Sequence, residues 1–412
     1  MIFVFKKLFG DIAILKNKNV KRGIWIGLNA FNGLSAPLFN LVLSAIITKK
    51  ISLSFWGEFT SLSLIVNLSA MILGWGNKEF LLREFSRNPS NIASHWQVNL
   101  AQRSLLCILL AASFYSFLDY SYFRISVLIF WIVSSFLYKS LDILVLFKRT
   151  FSFSLFAETV GYIMVLGASI FSNPEIRTVD FLILLLAYTT FFKFILSVWY
   201  FRNEIFPLKK FNKISLKTNT LFLSIPYFLP SLVGLLQGKM DLYCVVYFLP
   251  SDKVGKYQIL MNLLTVPHIL ATFIIMPFIK NIYRLPVKSV KKIIRGLTIL
   301  GLVSSLPAII IVYFITQKYY MLQFSIWIYF LGYLQLIPFF VYLVKTNMLF
   351  KHDKQYIVVC ISTSTAVISF LISIFLIPYW NLEGAIIANT ITQWTTLFLF
   401  IIFSNRYAKK NG

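Results

Sequence analysis

Long apolar stretches, separated by short polar and basic segments, recur along the whole chain. A stretch of roughly twenty apolar residues can cross the ~30 Å hydrocarbon core of a bilayer as an α-helix. The pattern therefore predicts an all-α polytopic membrane protein with twelve transmembrane helices. The predicted spans are residues 23–48, 59–76, 98–118, 125–147, 151–171, 179–201, 221–249, 257–278, 293–316, 321–344, 356–377 and 382–403.

A basic, amphipathic segment divides the predicted spans into two groups of six. We assign residues 1–22 to a cytoplasmic interfacial segment and residues 23–201 to an N-terminal six-helix bundle. Residues 202–220 form the predicted cytoplasmic linker, residues 221–403 a C-terminal six-helix bundle, and residues 404–412 a cytoplasmic tail.

A short internal echo relates the two predicted bundles. The residues Trp56-Gly-Glu-Phe59 follow the first span as Val254-Gly-Lys-Tyr257 follow the seventh, at an offset of 198 residues. Both segments are predicted to be loops on the same side of the membrane, so the repeat is parallel and its pseudo-two-fold axis runs along the membrane normal. Parallel repeats of this kind are one of the arrangements from which secondary transporters are built.

The distribution of charge predicts an orientation. The chain is 58% hydrophobic and 13% charged, with a mean hydropathy of +0.77 and a net charge of +25. Its lysines and arginines concentrate in alternate loops, on the side that holds both termini, and the positive-inside rule places this side in the cytoplasm. Membrane topology thus explains the positive charge, and no nucleic-acid partner is predicted.

Several charged residues lie within the predicted spans of the first half, and three of them, Lys139, Glu158 and Lys193, are predicted to lie at similar depth. Lys139 and Asp142 are three residues apart, hence on one face of a continuous helix, and can pair with each other. Glu158 and Lys193 lie at a comparable distance from the cytoplasmic ends of their spans. Such residues form either a layer that contacts substrate or a structural ion-pair network. Arg103 lies nearer a span end, where it either contacts substrate or snorkels to the interface.

The seventh span has the most unusual composition. Pro226 and Pro230 each remove a backbone hydrogen bond, so this helix is predicted to be kinked or partly unwound and to contain a hinge. Lys239 and Asp241 are two residues apart and cannot form an intrahelical pair, so each should face an interior cavity. Lys239 is a candidate substrate contact, and Asp241 is a candidate proton or cation site or a gate contact.

Three further residues are candidates for coupling or gating. His268 follows Pro267 in the eighth span, and an imidazole there suits proton coupling or a structural hydrogen bond. Arg83 and Arg87 lie on one face after the second span, where they form either an inner gate or simply the polar end of the span. Taken together, the charges within the spans are slightly cationic, which favours an anionic substrate group such as a pyrophosphate.

Several motifs resemble those of bacterial O-antigen flippases. This Wzx-type group belongs to the polysaccharide transporter family of the multidrug/oligosaccharidyl-lipid/polysaccharide exporter superfamily. The resemblance covers essentially the whole chain and rests on the pair Trp56-Gly57, the element Arg83-Glu-Phe-Ser-Arg87, the pattern Pro226…Pro230…Asp241…Val254-Gly-Lys-Tyr257, and Gly384-Ala-Ile-Ile-Ala388.

The resemblance implies a MATE-like transporter fold in the bacterial cytoplasmic (inner) membrane. It further implies that the protein moves undecaprenyl-pyrophosphate-linked O-antigen or capsule repeat units from the inner to the outer leaflet. A polysaccharide polymerase and chain-length proteins are then its expected partners, besides the lipid bilayer. It gives no agreed binding residues, so the candidate site residues remain those derived from charge and position.

Motifs for other chemistry are not found in the sequence. It has no Walker A sequence, no GxGxxG, no HExxH and no Asp-x-Asp pair, and its three cysteines lie far apart. We therefore predict no cofactor, no metal site and no enzymatic activity, and we expect either a proton or sodium gradient or the removal of product on the outer side to drive transport. Two alternatives stay open, namely a cation-coupled drug exporter of the same superfamily and a membrane polysaccharide polymerase or ligase.

Overall fold

The computed structural model describes residues 18–75, 77–87, 89–172, 178–206, 219–275, 287–351 and 354–410. Nearly all of these residues are helical, which confirms the predicted all-α class. The helices of the first half are α1 (Lys18–Lys50), α2 (Leu53–Gly74), α3 (Asn77–Arg87), α4 (Ile92–Phe117), α5 (Tyr122–Lys139), α6 (Asp142–Lys148), α7 (Phe151–Phe171), α8 (Val179–Tyr200) and α9 (Arg202–Ile205). Those of the second half are α10 (Asn219–Phe248), α11 (Ser251–Ile275), α12 (Val287–Phe314), α13 (Ile326–Lys351) and α14 (Gln355–Lys410).

Hydropathy predicts the helix centres better than the helix ends. The predicted span 151–171 coincides with α7, whereas α2 begins six residues before the predicted residue 59. It begins earlier because Ser52 is an N-cap whose hydroxyl accepts a hydrogen bond from the Phe55 N–H at 3.1 Å. The two repeated segments are therefore helical, and the prediction that they are loops is wrong.

Helix interruptions occur away from the prolines of the seventh span. Helix α10 is continuous through Pro226 and Pro230, so the predicted partial unwinding is wrong for this structure. The predicted span 125–147 is instead split between Lys139 and Asp142 into α5 and α6, which means that these two residues do not share one regular helix. A second break lies within α14, where Asn381 adopts φ 50° and ψ −127°.

The two halves pack around one continuous core. In the first half α5 packs on α8 and α1 packs on α7, and in the second half α10 and α13 both pack on α14. Helix α11 joins the halves, because it packs along α2 and also contacts α1. Buried side chains of the joint core come from both sides, with Leu62 and Ile183 from the first half and Val245 and Leu264 from the second.

The α2–α11 contact is reciprocal about the repeated motif. A Cβ atom added to Gly255 would lie 2.5 Å from the carbonyl oxygen of Leu53, and one added to Gly57 would lie still closer to the carbonyl oxygen of Ser251. The offset between Gly57 and Gly255 is the same as that between Leu53 and Ser251. The repeated motif therefore lies where α2 and α11 cross with their backbones in contact, at a pseudo-two-fold axis. Only glycine, which has no side chain, permits so close a crossing.

The outer surface of the bundle is suited to a membrane. By length and composition, nine helices among the described residues could cross a bilayer, one of which is the 52-residue stretch Gln355–Arg406. Large apolar side chains are exposed on several helices, for example Leu105, Ile108 and Leu109 on α4. A water-soluble monomer would not expose apolar surface of this extent. The number of twelve spans remains a prediction.

Candidate functional site

A cavity of ≈ 410 Å³ lies within the first half, and one helix of the second half contributes to its lining. Its walls come from α1, α2, α5, α6, α7 and α8, together with Gln258 and Asn262 of α11. This volume is within the range of pockets that hold small ligands or headgroups. Four of the predicted site residues line it, namely Lys139, Asp142, Glu158 and Lys193.

An ion pair occupies the wall formed by α7 and α8. The Lys193 Nζ donates a hydrogen bond to the Glu158 Oε2 at 2.9 Å, and both side chains are largely buried. The same ammonium lies 4.9 Å from the ring centroid of Tyr138 and 5.6 Å from that of Tyr162. A Cβ atom on Gly161 would lie 2.9 Å from the Cδ of Lys193, so this glycine makes room for the lysine stem. The pair is thus held by packing as well as by charge.

Lys139 lies on the neighbouring wall and differs from Lys193. It is exposed and lines the cavity at the end of α5, and among the described residues it forms neither a hydrogen bond nor a close ion pair, although the nearby charges of Asp142 and Glu158 attract it. An ammonium within a bundle of apolar helices is normally paired, because desolvating it costs several kcal/mol. Lys139 therefore keeps its hydrogen-bonding capacity available to whatever enters the cavity.

The charge balance of the cavity differs from the predicted one. The charged residues that line it are two lysines and two carboxylates, which give a formal charge of zero. The prediction of a slightly cationic cavity is therefore wrong, because it also counted Arg103, Lys239 and Asp241, none of which lines the cavity. Attraction for an anion in this cavity must come from the local position of Lys139 and not from net charge.

Arg103 has a structural position that does not reach the cavity. Its guanidinium is fully buried and donates hydrogen bonds to the last carbonyl groups of α2, at 3.0 Å to Leu73, at 3.1 Å to Trp75, and also to Gly74. A cation at a helix C-terminus satisfies free carbonyl groups and interacts favourably with the helix dipole. Arg103 thus fixes the end of α2 where the chain turns into α3.

Lys239 and Asp241 lie on α10, outside the lining of the cavity. Asp241 is buried, and its Oδ2 accepts hydrogen bonds from the Tyr257 hydroxyl and from the Asn389 Nδ2, the latter at 2.6 Å. The Asn389 Oδ1 in turn accepts a hydrogen bond from the Gln393 Nε2 at 3.4 Å. Asp241 is therefore a buried carboxylate whose hydrogen-bond donors within the described residues are neutral.

The remaining predicted residues of the second half are also away from the cavity. His268 packs its ring against Phe339, with centroids 4.6 Å apart, and its buried Nε2 has no partner among the described residues. Pro226 and Pro230 bracket two aromatic residues of α10, Tyr227 and Phe228.

These two aromatic residues connect the halves at the end of the molecule that holds α3. Arg83 donates a hydrogen bond to the Tyr227 hydroxyl at 2.7 Å, and the Phe228 ring stacks on Trp75 at 4.2 Å. Arg87, in contrast, is exposed at the end of α3 and does not join this contact. Of the two arginines, only Arg83 therefore has the position expected of a gate residue.

Uncharged polar residues, which the charge pattern does not single out, also line the cavity. They include Asn32, Trp56, Thr60, Gln258 and Asn262, and each has a buried polar atom that finds no partner among the described residues. Their signal in the sequence was the presence of amide side chains in long apolar helices, for example Gln258 and Asn262 four residues apart. Such groups are costly in a membrane unless they meet a partner, as charged groups are.

Comparisons with known proteins identify the fold. No family model and no curated protein sequence matches the chain. Among solved structures, the lipid II flippase MurJ in an inward closed conformation matches with a TM-score of 0.71 and 12% identity, over 92% of this chain and 87% of that chain. An inward-facing MATE family multidrug resistance transporter of the MOP superfamily matches with a TM-score of 0.60 and 12% identity, over 92% and 98% of the two chains. A mutant of the Vibrio cholerae MATE transporter VcmN matches with a TM-score of 0.54 and 14% identity, over 92% and 95%.

These similarities confirm the predicted MATE-like fold with its two related helical bundles. At 12 to 14% identity they concern the fold and not the substrate. Together with the nine apolar helices, the fold makes the chain a multi-pass membrane protein.

Proposed function

We propose that the protein is a flippase for lipid-linked oligosaccharides. It moves undecaprenyl-pyrophosphate-linked O-antigen or capsule repeat units from the inner to the outer leaflet of the bacterial cytoplasmic membrane by alternating access, with both termini in the cytoplasm. The fold that it shares with a lipid II flippase supports a lipid substrate with a polar headgroup. The proposal is for transport without catalysis, upstream of a polysaccharide polymerase and chain-length proteins.

The observation that carries the proposal is the exposed ammonium of Lys139, which has no hydrogen bond or close ion pair within the part of the chain that the structure describes. Such a group is costly in the apolar interior unless an anion periodically binds it. A pyrophosphate offers several oxygen acceptors and negative charge, which is what an ammonium with three donors binds well. The polyprenyl tail would remain in lipid while the headgroup enters the cavity. Asp241 and Glu158 are the candidates for binding a proton or sodium counter-ion.

A binding experiment on the purified protein tests the role of Lys139. The probe is farnesyl pyrophosphate, and binding is followed by the fluorescence of Trp56 and Trp131, which both line the cavity. We expect Lys139→Ala to weaken binding about tenfold or more, because a hydrogen bond to a charged group contributes about 1.5–3 kcal/mol. Lys139→Arg keeps the charge and should retain most of the affinity.

Lys239→Ala is the matched control for this experiment. It removes a lysine from the interior of a helix but outside the cavity lining, so binding should not change. Equal affinity of the wild type and Lys139→Ala would contradict the proposal. In cells, deletion of the gene should strand lipid-linked oligosaccharide on the cytosolic face.

A cation-coupled drug exporter is the second candidate. Two carboxylates, Asp142 and Glu158, line the cavity beside the rings of Tyr138 and Tyr162, and carboxylates with aromatic rings bind organic cations. The MATE structures of similar fold also support this reading. Binding of ethidium with no binding of farnesyl pyrophosphate would favour the exporter over the flippase.

A further inference from the structure

The end of α12 departs from regular α-helical geometry. After Phe314 the chain continues as a π-helical turn over Ile315–Tyr319. The Tyr320 N–H closes this turn by donating a hydrogen bond to the Ile315 carbonyl oxygen at 3.1 Å. Met321, which follows directly, has a φ of 55°, which residues other than glycine rarely adopt. Single π-helical turns frequently occur at functional sites, so this irregular segment calls for an explanation.

The π-helical turn is fixed within the second half. The Thr316 hydroxyl is hydrogen-bonded to the Tyr329 hydroxyl of α13 at 2.7 Å, and both residues are buried. The Thr316 carbonyl oxygen accepts a hydrogen bond from the Leu322 N–H at 2.9 Å, which closes the chain directly after the turn. The position of the side chains that the turn carries is therefore set by contacts within the second half.

One of these side chains reaches across to α1 of the first half. The Tyr320 hydroxyl donates a hydrogen bond to the Leu41 carbonyl oxygen at 2.8 Å and lies 2.8 Å from the Ser44 Oγ, which can donate to it. Ser44 and Tyr320 are both buried. Beside them, the Lys49 Nζ lies 3.7 Å from the centroid of the Tyr319 ring, within the range of a cation–π contact. We call these five residues the latch.

The latch borders the cavity at the end of the molecule opposite α3. Asn40 and Leu43 line the cavity, and the latch residues Leu41 and Ser44 lie on the same turn of α1. From the end of α1 the chain runs through the 22 residues of α2 before it reaches α3, which places the latch and α3 at opposite ends. The latch and the contact of Arg83 therefore join the two halves at opposite ends of the cavity.

We propose that the latch is a gate, in which Tyr320 holds the end of the cavity opposite α3 closed and its release from α1 opens that end. The inference rests on alternating access, which both candidate functions share, and it holds for either cargo. In the predicted orientation this end faces the outer leaflet, where the cargo leaves. Hydroxyl groups suit a contact that must open, because water replaces their hydrogen bonds once the halves separate and the net free energy lost is small.

Two tyrosines of the second half provide a matched pair of variants. Tyr320→Phe removes the hydroxyl that bonds to the first half and keeps the ring. Tyr329→Phe is the control, because it removes a buried hydroxyl whose partner, Thr316, lies in the same half. The thermal midpoints of both variants should fall by similar amounts, whereas only Tyr320→Phe should favour opening. Ser44→Ala removes one bond of the latch from the side of α1 and should act in the same direction as Tyr320→Phe.

Distances between spin labels on the protein in nanodiscs measure the opening. The labels are placed at Phe117→Cys and Tyr379→Cys, two exposed positions near the latch end of α4 and of α14, after the three native cysteines are replaced by alanine. We expect Tyr320→Phe to raise the ratio of long to short distances about fivefold or more, and Tyr329→Phe to stay within about twofold of the wild type. Equal shifts in the two tyrosine variants, or no shift in Tyr320→Phe and Ser44→Ala, overturn the latch.

A second pair of labels separates the latch from the proposed function. Arg87→Cys on α3 and Phe222→Cys on α10 are exposed positions at the opposite end of the molecule. Alternating access requires this end to stay closed while the latch end is open, so Tyr320→Phe should not raise the population of long distances here. Lengthening at both ends together would support the latch and contradict alternating access. An unchanged affinity of Lys139→Ala for farnesyl pyrophosphate would contradict the proposed cargo and leave the latch intact.

Discussion

Glu158 in the first half and Asp241 in the second are both carboxylates within apolar helices, yet their surroundings differ. Glu158 faces a cavity and is paired with Lys193, whereas Asp241 is buried and accepts hydrogen bonds from Tyr257 and Asn389. The helical repeat relates the backbones of the two halves but not these polar groups. The comparison indicates that the carboxylate of the first half lies on a surface that a ligand can reach. The carboxylate of the second half is enclosed by its hydrogen-bond partners.

The repeat itself can be broken at the crossing of α2 and α11. Gly57→Ala would drive a Cβ atom into the backbone of α11, so we expect a loss of about 3 kcal/mol, at the upper end of overpacking effects. Gly234→Ala is the matched control, because a Cβ atom there meets nothing within 4 Å. It should stabilise by about 0.5–1 kcal/mol through helix propensity. Thermal midpoints in detergent check the opposite signs, and a loss in both variants would contradict the special role of the crossing.

The closed environment of Asp241 can be tested by removing one of its donors. Asn389→Leu leaves the buried carboxylate with the Tyr257 hydroxyl alone, and we expect a loss of about 2 kcal/mol because the lost hydrogen bond is to a charged acceptor. Thr396→Val is the comparison, since it removes only neutral hydrogen bonds, one from the Gln237 Nε2 and one to the Thr392 carbonyl oxygen, and should cost about 1 kcal/mol. Unfolding midpoints in detergent provide the measurement. Equal losses would mean that Asp241 is neutral or hydrated.

The open environment of Glu158 can be tested by a double-mutant cycle with Lys193. We expect a coupling energy of about 1 kcal/mol from Glu158→Gln, Lys193→Met and the double variant, because the cavity lets water reach both side chains. A pair shut away from water would lose about 3–5 kcal/mol on removal of one partner. Thermal midpoints of the three variants give the coupling, and a value in this higher range would remove the contrast with Asp241.

Hydropathy was sufficient to predict the helical class and the centres of the helices. It could not predict the break between Lys139 and Asp142, because neither Pro nor Gly marks it. The segment Ser140–Leu141 keeps near-helical backbone angles, and α6 packs against α3 and α7, which are contacts that the local sequence does not reveal. Conversely, Pro226 and Pro230 predicted a partial unwinding of α10, whereas the helix is continuous through both residues.

The candidate site was only partly predictable for a related reason. Lys139 and Lys239 look alike in sequence, as each lies in an apolar helix with an aspartate two or three residues away. Which of them reaches the cavity depends on the face that its helix turns inward, and this is decided by tertiary packing. The uncharged polar lining of the cavity depends on helices distant in sequence, since α11 brings Gln258 and Asn262 to residues of α1 and α2.

The position of Tyr227 and Phe228 between two prolines has a mechanical consequence. The backbone is missing hydrogen bonds on both sides of this aromatic pair, so the first turns of α10 can tilt there at low cost. Such a tilt would separate Tyr227 from Arg83 and Phe228 from Trp75 at the same time. It would thereby open a gap between the two halves at the end of the molecule that holds α3. The contact of α2 with α11 at Gly57 and Gly255, where the backbones already touch, would meanwhile stay in place as the pivot of this motion.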